Sequence, residues 1–287
     1  MLYLLLFISV LSDTLKKIYN NHFGKECMHT NKDAILFNAI SCVGAVLFFT
    51  FSGAEWKISG FSLGISLCFA LVTTAAQFLE LAAMSTGPMS YSILFSYLGM
   101  IIPTFFGVAV YKQNLSVLQI VGFVLMIATI VLGVDLKKDS RITPKWLLYA
   151  TGSFVMWGGV GIFQLIHQQS EFAHEINGFL LYSFIITTIL FFVAFFVTPK
   201  KKGQKFEYIN KKGISLILVS GLMLGVVNKI NLYLSGKMAS VIFFPVVNGG
   251  VIILSGLAAV FIFKEKQTPR QLAGIILGIL AVCFLGI

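Results

Sequence analysis

Apolar residues occur in long runs along the chain, and each run is about as long as a membrane-spanning helix. A helix needs about 20 apolar residues to cross the roughly 30 Å hydrocarbon core of a bilayer. Runs of this length predict ten spans, at residues 1–19, 34–51, 61–84, 89–111, 117–134, 146–167, 176–198, 214–234, 239–263 and 271–287. The longest loop, residues 199–213, is too short for a soluble domain. The pattern predicts an all-α integral membrane protein whose function takes place inside the helix bundle.

The composition excludes the other broad classes of protein. Of the 287 residues, 57% are apolar and 11% are charged, whereas a soluble domain is about 25% charged and a disordered chain is poor in apolar residues. The net charge of +10 lies in short loops between apolar runs, which indicates lipid headgroups and topology. As partners we expect a small-molecule substrate and the lipid bilayer, and no nucleic acid. A monomer and a homodimer both remain open.

The basic residues of the loops lie mainly on one side of the predicted bundle. Loops 1–2, 5–6, 7–8 and 9–10 carry fifteen lysines and arginines, while the opposite loops carry three, Lys57, Lys112 and Lys237. Because basic loops stay in the cytoplasm, this asymmetry predicts that both termini lie outside. We expect the first span to remain in the membrane, since no small-residue cleavage site follows it before Lys16. Nineteen lysines against two arginines favour an AT-rich bacterial genome, so a bacterial cytoplasmic (inner) membrane is expected.

The two halves of the chain match each other at an offset of 152 residues. The matched pairs are Lys112 and Lys264, Gln119 and Gln271, Gly122 and Gly274, and Leu125 and Leu277. Each half holds five spans, an odd number, so the second copy must enter the membrane in the opposite orientation. The sequence therefore predicts two inverted five-helix repeats, residues 1–135 and 136–287, within one membrane domain. In transporters such repeats place the substrate site near the midplane between the halves.

The ends of the two repeats carry a family resemblance. The first contains LAAMSTGPMSYSILFSYLGMIIPTFFGVAVYKQNLSVLQIVGFVLMIATIVLGV, and the second contains LYLSGKMASVIFFPVVNGGVIILSGLAAVFIFKEKQTPRQLAGIILGILAV. The pattern resembles the EamA type of the drug/metabolite transporter superfamily, which implies a ten-helix transporter without implying a substrate. That family usually has both termini in the cytoplasm, opposite to the orientation that the basic residues predict. The first span is also similar to the small multidrug resistance branch, but Ser9 stands where that branch has its membrane glutamate.

Ionisable side chains inside a span cost about 2.5 to 3.5 kcal/mol each on insertion scales, so each is a functional hypothesis. The sequence has five, Asp13, Lys16, Lys17, Glu80 and Lys229. Asp13 and Lys17 are four residues apart and can pair on one helix face. That pair is a candidate for ion coupling; alternatively, it is self-neutralised while the lysines extend to the headgroups.

Spans 3 and 8 correspond under the repeat and carry polar groups of opposite character. Gln77 and Glu80 share one face of span 3, while Asn228, Asn231 and Lys229 cluster on span 8. A cavity with an acidic wall and a basic wall suits a zwitterion such as an amino acid, with Lys229 contacting the anion and Glu80 the cation. Alternatively, Glu80 and Lys229 form a buried ion pair without a ligand. Tyr91, Trp157 and Gln164 are further candidates for the lining, or else ordinary core aromatics and amides.

Prolines, glycines and a histidine suggest local features of the bundle. Pro103 is expected to kink span 4, and Pro245 to break span 9 beside a cavity. Three small-xxx-small pairs predict close helix packing, within one chain or in a dimer, at Gly60/Gly64, Gly221/Gly225 and Gly274/Gly278. His167 ends span 6 at an interface, where it can titrate near neutral pH or simply cap the helix.

The chain has no motif of an enzyme. It lacks GxSxG, HExxH and a Gly-rich phosphate loop, and the group His22, Cys27 and His29 lacks a fourth metal ligand. We therefore expect no enzyme activity, no metal, no cofactor and no nucleotide site, with transport driven by a proton or ion gradient. The sequence favours a secondary active transporter, in the export direction, for a small polar or zwitterionic metabolite. Lipophilic-cation efflux, a lipid-linked headgroup flippase and a structural membrane partner are the alternatives.

Overall fold

The computed structural model describes residues 1–27, 30–53, 56–86, 89–133, 143–199, 211–261 and 268–285. This part of the chain is built from helices and short connecting turns. The helices are α1 (Leu2–Cys27), α2 (Asn31–Phe51), α3 (Gly60–Thr86), α4 (Met89–Leu98), α5 (Ile101–Tyr111), α6 (Val117–Gly133), α7 (Pro144–Gln168), α8 (Ile176–Val197), α9 (Lys211–Ser235), α10 (Ser240–Phe261) and α11 (Pro269–Leu285). The predicted all-α class is confirmed for the described residues.

Six helical segments within the described ranges are long and apolar enough to cross a membrane. They are Asn31–Phe51, Gly60–Thr86, Ser92–Tyr111, Pro144–Gln168, Ile176–Val197 and Gly213–Ser235. Three shorter apolar helices, Val117–Leu132, Ser240–Ser255 and Pro269–Leu285, fall in other predicted spans. The protein is therefore a multi-pass membrane protein, and the count of ten spans stays a prediction.

The break expected at Pro245 is absent from α10, and the interrupted span is the one that contains Pro103. The fourth predicted span is divided between α4 and α5 at Gly99 and Met100, whereas α10 continues through Pro245. Pro103 is the third residue of α5, where the first N–H groups of a helix have no intrahelical acceptor, so proline costs little there. The break therefore lies just before Pro103, beside the cavity described below.

The contacts between helices repeat when the two halves are exchanged. Under the repeat, α1, α2, α3 and α6 correspond to α7, α8, α9 and α11, and the α4–α5 pair corresponds to α10. Helix α3 packs on α7 as α9 packs on α1, and α2 packs on α9 as α8 packs on α3. Each of the pairs α2 with α8 and α6 with α11 joins one helix to its own counterpart. The halves are thus interleaved rather than placed side by side.

Helices α2 and α9 approach each other at two glycines. A Cβ atom on Gly221 would lie 2.8 Å from the Cα atom of Gly44, and a Cβ on Gly225 would lie 2.6 Å from the ring of Phe48. By contrast, a Cβ on Gly60 or Gly64 would meet no described atom within 4 Å. Of the predicted small-residue pairs, Gly221/Gly225 therefore packs one half on the other, because only glycine lets the two backbones come this close.

Two hydrophobic clusters form most of the described core. One surrounds α6, α10 and α11, with Met126 and Phe243 almost fully buried, and the other joins α2, α3 and α8 through Phe49, Phe179 and Phe191. Members of both clusters reach the space between them. This space is the cavity around which the candidate site is built.

A glutamine holds the turn after α5 against the start of α10. Gln113 Oε1 accepts hydrogen bonds from the backbone N–H and the hydroxyl of Ser240, each at 2.8 Å. Ser240 is fully buried, and α10 begins there, so its N–H has no acceptor within the helix. This bond joins the first half of the chain to the second.

Replacing Gln113 with leucine is expected to lower the free energy of unfolding by about 1 to 2 kcal/mol, because the buried N–H of Ser240 loses its acceptor. The hydroxyl of Ser240 keeps the carbonyl of Thr104 as an acceptor, at 3.1 Å. The thermal midpoint of the purified protein in detergent measures the effect. Gln169→Leu is the matched control, since Gln169 is exposed at the end of α7. Equal midpoints for the two variants would contradict the prediction.

Candidate functional site

A cavity of about 440 Å³ lies between the two halves of the molecule. Its walls come from α1, α3, α4, α5, α7, α9 and α10, with Phe184 added from α8. Its volume falls in the usual range for pockets that hold small molecules. Residues from both repeats face the same space, so a relative movement of the halves would change its shape.

Most of the predicted site residues line this cavity. They are Asp13, Gln77, Glu80, Trp157, Gln164 and Asn228. The side chains of Tyr91 and Lys17 lie outside the described residues, as do those of the group His22, Cys27 and His29. The cavity wall also includes Lys16, Thr73, Tyr97, Asn231 and Asn248. Thr73 was missed, although it stands one helical turn from Gln77 on the same helix.

Lys229 is not among the residues that line the cavity. Asn228 faces the cavity, and the next residue of an α-helix points about 100° away. Lys229 lies one turn beyond Gly225, on the face of α9 that packs against Phe48 of α2. Lys229 therefore lies outside the cavity wall in this structure, and its assignment as the contact for a substrate anion stays a prediction.

Among the described residues, the basic group in the cavity wall is Lys16. Its Nζ lies 2.6 Å from Asp13 Oδ1, and both side chains are about 12% exposed. Asp13 thus pairs with the residue three positions along α1. The side chain of Lys17 lies outside the described residues, so its predicted pairing with Asp13 stays a prediction. Both spacings place the partners on one helix face. The pair brings a charge of each sign to the cavity wall.

Glu80 is the second carboxylate in the wall. Its Oε2 accepts a hydrogen bond of 2.8 Å from the indole Nε1 of Trp157. The bond links α3 in the first half to α7 in the second half and fixes the direction of the carboxylate. A carboxylate held beside an aromatic ring is a suitable partner for an ammonium group, because the charge and the ring face both attract cations.

Three asparagines of the cavity wall make hydrogen bonds that distinguish their amide oxygen from their amide nitrogen. Asn228 Nδ2 donates to the carbonyl of Leu224, and Asn248 Nδ2 donates to the carbonyl of Phe244, each at 2.9 Å. Their amide oxygens are directed away from these carbonyls and are available as acceptors. Asn231 has the opposite polarity, since its Oδ1 accepts from the hydroxyl of Ser9, so its amide nitrogen is available as a donor. The cavity can therefore serve both ends of a zwitterion.

Two further polar groups of the wall are deeply buried. Gln164 and Thr73 are each 8% exposed, and the hydroxyl of Thr73 has no hydrogen-bond partner among the described residues. A buried hydroxyl without a partner costs about 1 to 3 kcal/mol. A polar ligand or water in the cavity would satisfy it.

A cluster of polar side chains lies outside the cavity, where the α2–α3 turn meets the α7–α8 turn. The Glu175 carboxylate accepts from the N–H and the hydroxyl of Ser59, at 3.0 and 2.8 Å. Partial burial raises the pKa of Glu175, but hydrogen bonds from Ser62 and Ser59 outweigh it and bring the pKa below its ordinary value. Ser62 also bonds His167, whose ring is stacked on Phe179. These hydrogen bonds also join the first half of the chain to the second.

The lowered pKa of Glu175 predicts acid sensitivity. Ionised Glu175 stabilises the folded protein above about pH 4.3, the unfolded value, and this contribution is lost as the pH falls through the folded pKa. We expect the thermal midpoint to fall less steeply between pH 5 and pH 3 in Glu175→Gln than in the unaltered protein. Glu171→Gln, on the same turn but exposed, should keep the original slope. An unchanged slope in Glu175→Gln would refute the assignment.

Comparison with known proteins identifies the family. The model of the EamA-like transporter family matches residues 19–134 and again residues 144–287. The chain belongs to the EamA-like transporter family. The resemblance to drug/metabolite transporters is confirmed, and this EamA-like protein is a membrane transporter of the drug/metabolite type. Transporters of this family are generally not enzymes.

Other comparisons add the fold alone. No curated protein matches this EamA-like chain. A solved crystal structure of another protein superposes with a TM-score of 0.76 over 98% of this chain and 94% of that chain, at 11% sequence identity. At this identity the likeness shows a shared fold, and the substrate must be argued from the cavity.

Proposed function

We propose that the protein is a secondary active transporter that exports a small polar or zwitterionic metabolite, such as an amino acid, across a bacterial inner membrane. The observation that carries the proposal is the cavity between the repeats, which contains Asp13, Lys16 and Glu80 as charged groups. A site of this kind, between two repeats, is typical of alternating access, in which the halves rock around a bound substrate. The sequence motifs offer no nucleotide site, so a proton or ion gradient supplies the energy.

The polar atoms suggest how a zwitterion would lie. Its ammonium group would contact the carboxylate of Glu80 and the amide oxygens of Asn228 and Asn248. Its carboxylate would accept from Asn231 Nδ2 and from Lys16, which here bonds Asp13. In this arrangement Lys16, and not Lys229, contacts the carboxylate of the substrate.

The first experiment is thermal stabilisation of the purified protein by a panel of amino acids, organic anions, sugars and lipophilic cations. Compounds that stabilise the protein are then tested as radiolabelled solutes in proteoliposomes with an imposed proton gradient. Stabilisation and gradient-driven movement of an amino acid or related zwitterion would support the proposal. Movement of none of the panel would overturn it.

Lipophilic-cation efflux is the second candidate, and the aromatic lining favours it. Trp157, Tyr97, Phe243 and Phe244 all line the cavity, Trp157 bonds the Glu80 carboxylate, and aromatic faces bind organic cations. Preferential stabilisation by lipophilic cations in the same panel would select this function. No response to any compound of this soluble panel would indicate either a lipid-linked substrate, as in a flippase, or a structural membrane partner.

A further inference from the structure

The cavity is closed at the ends of α7, α9 and α10. Gln164 and Asn231 line it, whereas His167 and Ser235, about one turn further along the same helices, are fully buried. Ser240, at the start of α10, is also fully buried. A substrate could leave in this direction only if these helix ends separate.

Gln168 fills the space at this closed end. It is 9% exposed, and it packs so closely on the α9–α10 turn that a Cβ atom on Gly236 would lie 2.8 Å from Gln168 Oε1. Its Nε2 lies 3.3 Å from the carbonyl of Ala173 and 3.1 Å from His167 Nδ1. Gln168 is thus held between His167 on one side and Gly236 on the other.

The hydrogen bonds fix the protonation of His167. The bond to a backbone carbonyl identifies Gln168 Nε2 as the amide NH₂ group, which can only donate. His167 Nδ1 must therefore accept and carry no proton. In the neutral ring Nε2 then carries the proton and donates to the hydroxyl of Ser62, at 3.2 Å. The closed arrangement accommodates one neutral tautomer, and a second proton on Nδ1 would face the hydrogens of Gln168.

We propose that His167 is a proton-binding site that controls this end of the cavity. When Gln168 swings away from Gly236, Nδ1 becomes accessible and binds a proton, and the protonated ring no longer accepts from Gln168. Because the proton binds the open form and not the closed one, acid shifts the population toward opening. Below about pH 6.5, where an accessible imidazole is protonated, the ratio of open to closed molecules rises up to about tenfold for each pH unit.

Few titratable groups of the described residues lie around His167. Among the described residues, the titratable groups that act on it electrostatically are Glu175 and His174, both in the α7–α8 turn. Helix α3 presents Ser62, and α8 presents the ring of Phe179 at 4.2 Å. Lys237, in the α9–α10 turn, is exposed. Of the two histidines, His174 is exposed, so it provides a matched control.

The test measures the opening directly and needs no substrate. Spin labels at Lys57→Cys and Lys237→Cys, in a variant without the native cysteines, report the distance between the α2–α3 and α9–α10 turns. We expect a second, longer distance to grow between pH 8 and pH 5. His167→Gln should abolish this response, and His174→Gln should retain it. A distance independent of pH, or a response lost in His174→Gln instead, would overturn the proposal.

A second variant does not depend on the histidine. Gly236→Ala introduces a Cβ atom that displaces Gln168, so it should populate the longer distance already at pH 8. Gly53→Ala is not suitable as a control because Gly53 has a positive φ of 79°, and Gly64→Ala serves instead. The same distances for Gly236→Ala and Gly64→Ala at pH 8 would show that Gln168 does not hold the end closed. Failure of transport by the unaltered protein would count against the proposed function alone.

Discussion

Gly221→Ala is expected to reduce the free energy of unfolding by about 3 kcal/mol, near the upper end of the usual cost of overpacking. The added methyl group would collide with the backbone of Ser41 and Gly44 in α2. Backbone atoms cannot rotate away as a flexible side chain can, so α2 and α9 must move apart. Since these helices belong to different halves, the whole contact between the repeats would loosen.

Gly64→Ala is the matched control for this change. Both positions lie in long apolar helices, but a Cβ on Gly64 would meet nothing within 4 Å among the described atoms. Alanine also favours a helix by up to about 1 kcal/mol relative to glycine, so the control should be neutral or slightly more stable. The thermal midpoint and the monodisperse fraction in detergent measure both variants. A Gly221→Ala protein as stable as the control would show that the close approach of α2 and α9 is not required.

Glu80→Gln is expected to weaken binding of an amine-bearing substrate by roughly 10- to 100-fold. The change keeps the size of the side chain and an oxygen that can accept from Trp157, but it removes the negative charge. Hydrogen bonds to charged groups contribute about 1.5 to 3 kcal/mol, which corresponds to this range of affinity. The concentration of ligand that gives half-maximal thermal stabilisation measures the loss.

The control for Glu80 is Lys229→Ala. Lys229 is also an intramembrane charge, but its side chain is not part of the cavity wall, so ligand affinity should change by less than about threefold. A strong loss in Lys229→Ala together with a weak loss in Glu80→Gln would contradict the site described here. If the ligand binds the unaltered protein and neither variant loses affinity, the substrate contacts neither Glu80 nor Lys229.

Several parts of the site could be predicted from the sequence because they depend on local spacing. Gln77 and Glu80 are three residues apart in a helix, so they share a face whatever surrounds them. Asn228 was found in the same way, from its place in the polar cluster of span 8, while Trp157 and Gln164 were candidates as aromatic and amide groups of the kind that line pockets. The apolar runs likewise predicted the helical class, and the resemblance of the two repeat ends indicated the family.

The partner of a polar group could not be predicted, because it depends on how helices rotate about their axes. Lys229 and Asn228 are adjacent in sequence, yet one faces α2 and the other faces the cavity. Likewise, i,i+3 and i,i+4 spacings are equally compatible with an ion pair, and it is the structure that shows Lys16 in contact with Asp13.

What the sequence alone determined is the membrane class, the repeated organisation and the family, since each rests on long stretches in which many residues agree. The tertiary structure decided where α4 and α5 separate, which glycines pack on another backbone and how Gln168 closes one end of the cavity. These features depend on contacts between residues far apart in the chain, such as Gly44 with Gly221. Local spacing marked Gly221/Gly225 as a candidate for close packing, but it marked Gly60/Gly64 equally, and a Cβ on either of those glycines would meet no described atom within 4 Å. Hydropathy does not separate the two cases, because a lipid-facing surface and a buried helix contact are both apolar.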